Sequence, residues 1–179
     1  MGVKLVNFDT LKLIRAAARV ERMHINPTLH KQTVGEHTFG VLWLAHLIIA
    51  PRVLSSALIS VIMVHDVPEA ITGDVPAPTI HKYEDIRTGL EQADRDILKR
   101  FRLSMPELLL TEWEAQVFKF CDRAEFALFM LEEVSDGNSK SLPRARATVA
   151  KIRESGVHRC TPAAEQLLNI LALKCEDYP

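Results

Sequence analysis

The stretch 61–78 concentrates side chains able to do chemistry. A long apolar run ends in His65-Asp66, and Glu69 and Asp74 follow within one short segment. A carboxylate taken out of water at the end of a buried helix loses hydration that apolar neighbours do not replace. A divalent metal would replace it, with the imidazole and the carboxylate as ligands. The same residues admit a local reading. Asp66-x-x-Glu69 has the spacing of a helix cap, with Pro68 in the first turn of a short helix and Gly73 closing it. Asp74 would then be an ordinary turn residue. The two readings are compatible, because one carboxylate oxygen can cap while the other ligates.

The elements that must position these groups read as helices. Asp9 is expected to cap a first helix with Leu11, Ile14 and Ala18 on its apolar face, fraying near Arg22-Met23. Residues 24–32 are polar, contain Pro27 and read as a loop. A second helix starts near Thr33 or Val34, with His37, Val41, Leu44 and Ile48 on one stripe. After Pro51 a third carries Leu54, Leu58, Val61 and His65. Residues 74–82, with Pro76 and Pro78, read as a stiff loop. A polar helix with many charge pairs is expected over 84–101 and is broken by Pro106. A long apolar helix over 110–134 has Ala115, Phe118, Asp122, Phe126 and Phe129 on its inward stripe and ends at Asp136-Gly137-Asn138. Two more helices follow near 144–154 and 163–175. No stretch alternates as a strand does. The expected fold is all-α, a compact array of about seven helices in one domain spanning 1–179.

Composition narrows the function classes. The chain has 179 residues, 47% hydrophobic and 25% charged, with formal net charge -1. That balance excludes a general nucleic-acid or membrane surface. The longest apolar stretch, 41–50, is too short to span a bilayer. The N-terminus lacks a signal-peptide pattern, which points to the cytoplasm. Cys121, Cys160 and Cys175 are odd in number and read as free thiols.

Three apolar stripes thus carry an ionisable group, His37, His65 or Asp122, and Asp66 sits beside His65. A lone histidine on such a face is more often a hydrogen-bonded core residue than a ligand. For Asp122 the simple partner is Lys119, one turn away. A shared metal gives all four residues one cause. Two imidazoles and two carboxylates suit zinc, manganese, cobalt or iron(II) and leave room for water.

Histidine in Val34-Gly35-Glu36-His37, then His65-Asp66, then Asp122 in an apolar helix, resembles the H…HD…D signature of HD-domain phosphohydrolases. The resemblance covers about residues 8–133. The pattern His65-Asp66-x-x-Glu69-x-x-x-Gly73-Asp74-x-Pro76-x-Pro78 is similar to the bacterial 5'-deoxynucleotidase branch and to phage dATP triphosphohydrolases. The resemblance implies an HD-domain helical array with His37, His65, Asp66 and Asp122 as metal ligands. It also implies homo-oligomers, a dimer or a hexamer, in a bacterial or phage-infected cytosol. Arg22 matches a phosphate-contacting arginine, whose fixed fork of donors suits the task. Glu69 matches a carboxylate that handles the attacking water or a proton. Asp74 matches the reader of the sugar 3'-hydroxyl. Met23 stands where tryptophan often stacks on the base, and Ile25 and Pro78 match base-pocket positions of the dATP enzymes.

The implied substrate is a small deoxynucleotide rather than a nucleic-acid polymer. The metal would acidify water toward neutrality for attack at the α-phosphorus. Arg22 and Lys119 would offset phosphoryl charge, and Glu69 would steer the water or protonate the leaving 5'-oxygen. Extra cations for a triphosphate are sought among Arg22, Lys119, Lys82, His24, His30 and His81, with magnesium as its counter-ion. The favoured expectation is a dATP or dNTP triphosphohydrolase, with a 5'-deoxynucleotidase as the alternative. A non-catalytic nucleotide-binding HD module is the reading from another class.

Overall fold

The computed structural model describes residues 7–103 and 110–178. Among them are nine helices and no named strand: α1 Phe8–Ala17, α2 Val34–Ile49, α3 Ser56–Val64, α4 Glu69–Thr72, α5 Ala77–Lys82, α6 Glu84–Arg100, α7 Glu112–Ser135, α8 Leu142–Ser155 and α9 Pro162–Glu176. The 24-residue α7 is the axis of the array, and α2, α3, α8 and α9 pack around it. Val41, Ile62, Phe120, Met130, Ile152 and Leu168 are buried between them. Leu13, Ala17, Val67 and Ile97 form a smaller cluster under α1 and α6.

Capping fixes where the site-bearing helices begin, and therefore which face each residue meets. Thr33 and Glu36 form a reciprocal capping box at the start of α2, with Glu36 Oε2 accepting from the Thr33 N–H at 2.7 Å. Thr111 and Glu114 do the same for α7, and the Ser55 hydroxyl accepts from the Leu58 N–H to start α3. Once α2 starts at Val34, helical periodicity turns His37, Val41 and Ile48 inward. Gly35 is required by a close approach. Its N–H donates to the Ala18 carbonyl, and a Cβ at 35 would meet that oxygen at 2.9 Å. The loop between α1 and α2 therefore leaves and returns at one point, joined by a single antiparallel bridge between Glu21 and Thr33.

Several expectations need correction. Asn7, not Asp9, caps α1, and its side chain accepts from the Asp9 N–H. That helix stops at Ala17, short of Arg22-Met23, and buries Leu13 and Ala17 while Leu11, Ile14 and Ala18 stay exposed. Residues 77–82 are helical, because prolines are tolerated in a first turn whose N–H groups have no partners anyway. Helix α4 is the short helix that the local reading of 66–73 allowed, and with α5 it brings the expected seven to nine. The face of α7 buried most deeply is Val117, Phe120, Cys121, Ala124, Ala127 and Met130. The expected stripe of Ala115, Phe118, Asp122 and Phe126 is partly buried beside it, and Phe129 is buried. The three cysteines are free, as expected. Pro106 lies outside the described residues. No helix among those described is long and apolar enough to cross a membrane.

Candidate active site

His37 projects from the second turn of α2, His65 forms the C-cap of α3, and Asp122 lies midway along α7. The packing of these helices brings one ligand atom from each residue within 4.8 Å of the others. His37 Nε2 stands 3.1 Å from Asp122 Oδ1, and the two imidazoles meet edge to face with centroids 5.5 Å apart. His65 Nδ1 donates to the Ile62 carbonyl at 2.8 Å, which leaves Nε2 facing the cluster. That Nε2 is buried and makes no hydrogen bond, although Asp66 Oδ2 is 3.2 Å away. A buried nitrogen without a partner calls for an explanation. A divalent cation supplies one, and the donor set of imidazoles and carboxylate fits it. The Asp122 side chain is 39% exposed, less buried than its stripe implied, so the cluster has an open side for water or substrate. Its partner is His37 rather than Lys119, which stands exposed on α7.

Asp66 is at the edge of this cluster rather than in its centre. Its Oδ2 lies 3.9 Å from His37 Nε2 and accepts a short hydrogen bond from Arg22 Nη1. The capping role is not taken up, since α4 starts at Glu69 behind Pro68 with no side-chain cap. Gly73, at φ 73°, closes α4 as expected. Burial disfavours the charged form of Asp66, but His65 and Arg22 overcome it and hold the carboxyl well below the usual range. Burial also disfavours charge on His37, yet hydrogen bonds to Asp122 and Glu125 raise it to about 9. Asp122 is lowered in return, its burial outweighed by His37. Glu69 goes the other way. Burial and the neighbouring Asp66 charge push it up to about 8, and its Oε2 is buried without a partner. A carboxyl that keeps its proton near neutrality is fitted to give one up.

The rim is built from the loop before α2 and the segment after α4. Asp74 Oδ2 accepts from the Met23 backbone N–H at 2.5 Å and lies 3.7 Å from His24 Nδ1, tying the two segments together. Met23 has φ 56°, a left-handed conformation uncommon for a side-chain-bearing residue. Its side chain packs against the main core. Ile25 is 58% exposed, and Pro78 and Lys82 are exposed, with Lys82 Nζ over the Tyr83 ring. His30 is held by Asp136 at 2.8 Å. Asp136 is fourteen residues beyond Asp122, about 21 Å along a helix axis, so His30 is remote from the cluster.

Two acidic residues of α7 were not anticipated. Glu125 accepts a short hydrogen bond from His37 Nδ1 and another from Gln32 Nε2 at 2.7 Å. Glu133, fully buried, accepts from the backbone N–H groups of Leu29 and His30 at 2.6 and 2.7 Å and from Asn138. The spacing of Glu125 from Asp122, three residues on one helix, was the available signal for the first. The second had none beyond apolar neighbours at Leu131 and Val134.

The sequence profile of a family described as 5'-deoxynucleotidase YfbR-like matches residues 9–160. A 5'-deoxynucleotidase of Vibrio vulnificus (strain YJ016) is 25% identical over 173 residues, covering 86% of this chain and 87% of its own. A 5'-deoxynucleotidase of Yersinia pestis (strain Pestoides F) is 29% identical over 158 residues, covering 76% and 80%. Among solved structures, the HD phosphohydrolase DatZ of cyanophage S-2L, bound to dA and one catalytic zinc ion, superposes with a TM-score of 0.69 at 18% identity. That match covers 93% of this chain and 96% of DatZ, and it establishes a shared fold.

Proposed function

This chain belongs to the YfbR-like family of HD-domain 5'-deoxynucleotidases, and we propose that it hydrolyses deoxynucleoside 5'-monophosphates to deoxynucleoside and phosphate. The observation that carries the proposal is the buried His37–His65–Asp122 cluster, with a nitrogen lacking a partner and a proton-holding Glu69 nearby. His37, His65 and Asp122 would hold a divalent ion (zinc, cobalt or manganese), with Asp66 as fourth ligand. Such an ion supplies an acidified water and offsets phosphoryl charge.

The remaining work falls to this chain's side chains. The Arg22 guanidinium binds the phosphoryl oxygens; its Nε is buried without a partner, so a donor is free for them. As water oxygen bonds to phosphorus, the P–O5' bond breaks and Glu69 delivers its proton to the departing 5'-oxygen. Asp74 keeps Oδ1 for the sugar 3'-hydroxyl while Oδ2 anchors the Met23 backbone. Met23, Ile25 and Pro78 border the base, and Lys119 and Lys82 stand outside as exposed cations. The exposed Phe39, Trp43 and Leu47, four residues apart along α2, support assembly as a homo-oligomer.

The monophosphate reading displaces the triphosphate expectation. Both relatives named above are 5'-deoxynucleotidases. Of the cations offered to a triphosphate, His30 is tied to Asp136 and stands remote from the cluster. The test is a panel of dAMP, dGMP, dTMP, AMP and dATP with metal-loaded protein, read by product mass. Deoxynucleoside and inorganic phosphate from the dNMPs are expected, with little from AMP. Faster release of intact triphosphate from dATP would restore the triphosphohydrolase reading, and binding without turnover would make the chain a nucleotide-binding module.

A further inference from the structure

We infer that Glu125 is a positioning residue of the metal centre, holding the His37 ring with Nε2 toward Asp122 and strengthening that nitrogen as a donor. The inference rests on the reading of the cluster as a metal site. Glu125 lies one turn from Asp122 on α7, so one helix supplies both a ligand and the partner of another ligand. Its Oε2 accepts the hydrogen bond from His37 Nδ1, and its Oε1 accepts from Gln32 Nε2 at 2.7 Å. Gln32 is itself 4% exposed and comes from the loop that carries Arg22 and Met23. The backbone makes room for this arrangement. Gly40 follows His37 by one turn on α2, and a Cβ there would meet Glu125 Cγ at 2.8 Å. A side chain at 40 would displace the carboxylate that holds the ring.

His65 provides the internal contrast. Its Nδ1 is held by a neutral backbone carbonyl within its own helix. A carboxylate in that position pulls harder on the imidazole proton, which raises the basicity of the opposite nitrogen and fixes the tautomer. The two histidines are thus unequal donors. His65 is set by its own helix, whereas His37 is set by packing between α2, α7 and the loop through Gln32.

The experiment measures cobalt affinity by chelator competition, and the cobalt absorption bands, for the wild-type full chain, Glu125→Gln, Glu125→Ala and Gly40→Ala. Glutamine keeps the volume and still accepts from Nδ1, and the Gln32 amide can turn its unpartnered Oε1 toward the new NH2. Losing the partner of a ligating histidine typically costs about 10- to 100-fold in affinity. A loss near the low end is expected for Glu125→Gln and near the high end for Glu125→Ala, with Gly40→Ala weakened and the bands shifted in all three. Melting of the metal-free Glu125→Gln protein should stay within a few degrees of wild type, a readout that separates tuning from simple destabilisation. If Glu125→Ala does not fold, Glu125→Gln decides alone. Wild-type affinity and unchanged bands in the folded variants would overturn the inference, as would an affinity loss explained by a reduced folded fraction. A wild-type chain that binds no cobalt would instead remove the metal reading itself.

Discussion

Asp122 and Glu133 are both acidic residues of α7, three turns apart, and their surroundings differ in one decisive respect. Every donor aimed at Glu133 is matched: two backbone N–H groups of the loop and the Asn138 amide fill its oxygens in a fully buried site. The group around Asp122 is left incomplete. His65 Nε2, Glu69 Oε2 and Arg22 Nε are buried there without a hydrogen bond, and Asp122 itself is open to solvent on one side. Buried polar groups are costly unless satisfied, so a cluster that stays unsatisfied is held in that state by the fold around it. The completed cluster fastens the chain, and the incomplete one is built to receive something. Removing a residue from each should separate chemistry from stability.

The largest effect on turnover is expected for Asp122→Ala. On the proposed reading it removes a metal ligand, so turnover should fall beyond the roughly 100-fold typical of losing only a ligand's hydrogen-bond partner. The fold should survive, because the residue is partly exposed and its helix is anchored elsewhere. Metal content by elemental analysis and melting by circular dichroism check the two halves. A variant that retains stoichiometric metal would return Asp122 to the role of a structural partner for His37.

Glu69→Gln comes next. Metal should remain bound while turnover drops by about a hundredfold or more, the range for a general acid or base. The pH profile carries the sign. In the proposed reaction Glu69 acts in its protonated form, so wild-type turnover should fall as pH rises through about 8. Ligation of Asp66 by a metal would weaken the repulsion that helps raise Glu69, and the limb would then move downward in pH. The variant should lack this alkaline limb altogether. A limb that persists in Glu69→Gln would assign the proton to another group.

The same contrast explains what could be read from the letters alone. His37, His65 and Asp122 stood out because ionisable types on apolar stripes are rare, and helical spacing placed them on those stripes. The order of the nine helices was largely legible for the same reason. Glu125 and Glu133 were not, because beside Glu132 and Arg123 they look like a solvated face. Their burial comes from loop groups 93 and 104 residues away in sequence. The rim was the hardest region. Prolines at 76 and 78 suggested a stiff loop, and the left-handed Met23 follows from a tertiary bond to Asp74 that no local pattern encodes.

Glu133→Gln completes the comparison and should have the smallest effect on turnover. Three donors converge on Glu133, and glutamine offers one acceptor oxygen where the carboxylate offers two. Its NH2 would face an N–H it cannot accept from, leaving a buried donor unpaired at a cost of about 1–3 kcal/mol. For a chain of this length that is a melting shift of roughly 2–12 °C. The pH dependence follows from the carboxyl itself. Burial opposes its charge, but the hydrogen bonds from Asn138, Leu29 and His30 outweigh burial and lower it below the usual glutamate range. A lowered folded value means the stabilisation is complete above the unfolded value, about 4.3. It is lost as pH falls through the folded value. The gap between wild type and Glu133→Gln should therefore be widest near neutrality and narrow below about pH 4. Urea melts at pH 7 and pH 3.5 measure it. Turnover per folded molecule at neutral pH should stay within a few-fold of wild type. A variant that melts normally but loses turnover as Glu69→Gln does would erase the distinction between the fastening cluster and the receiving one.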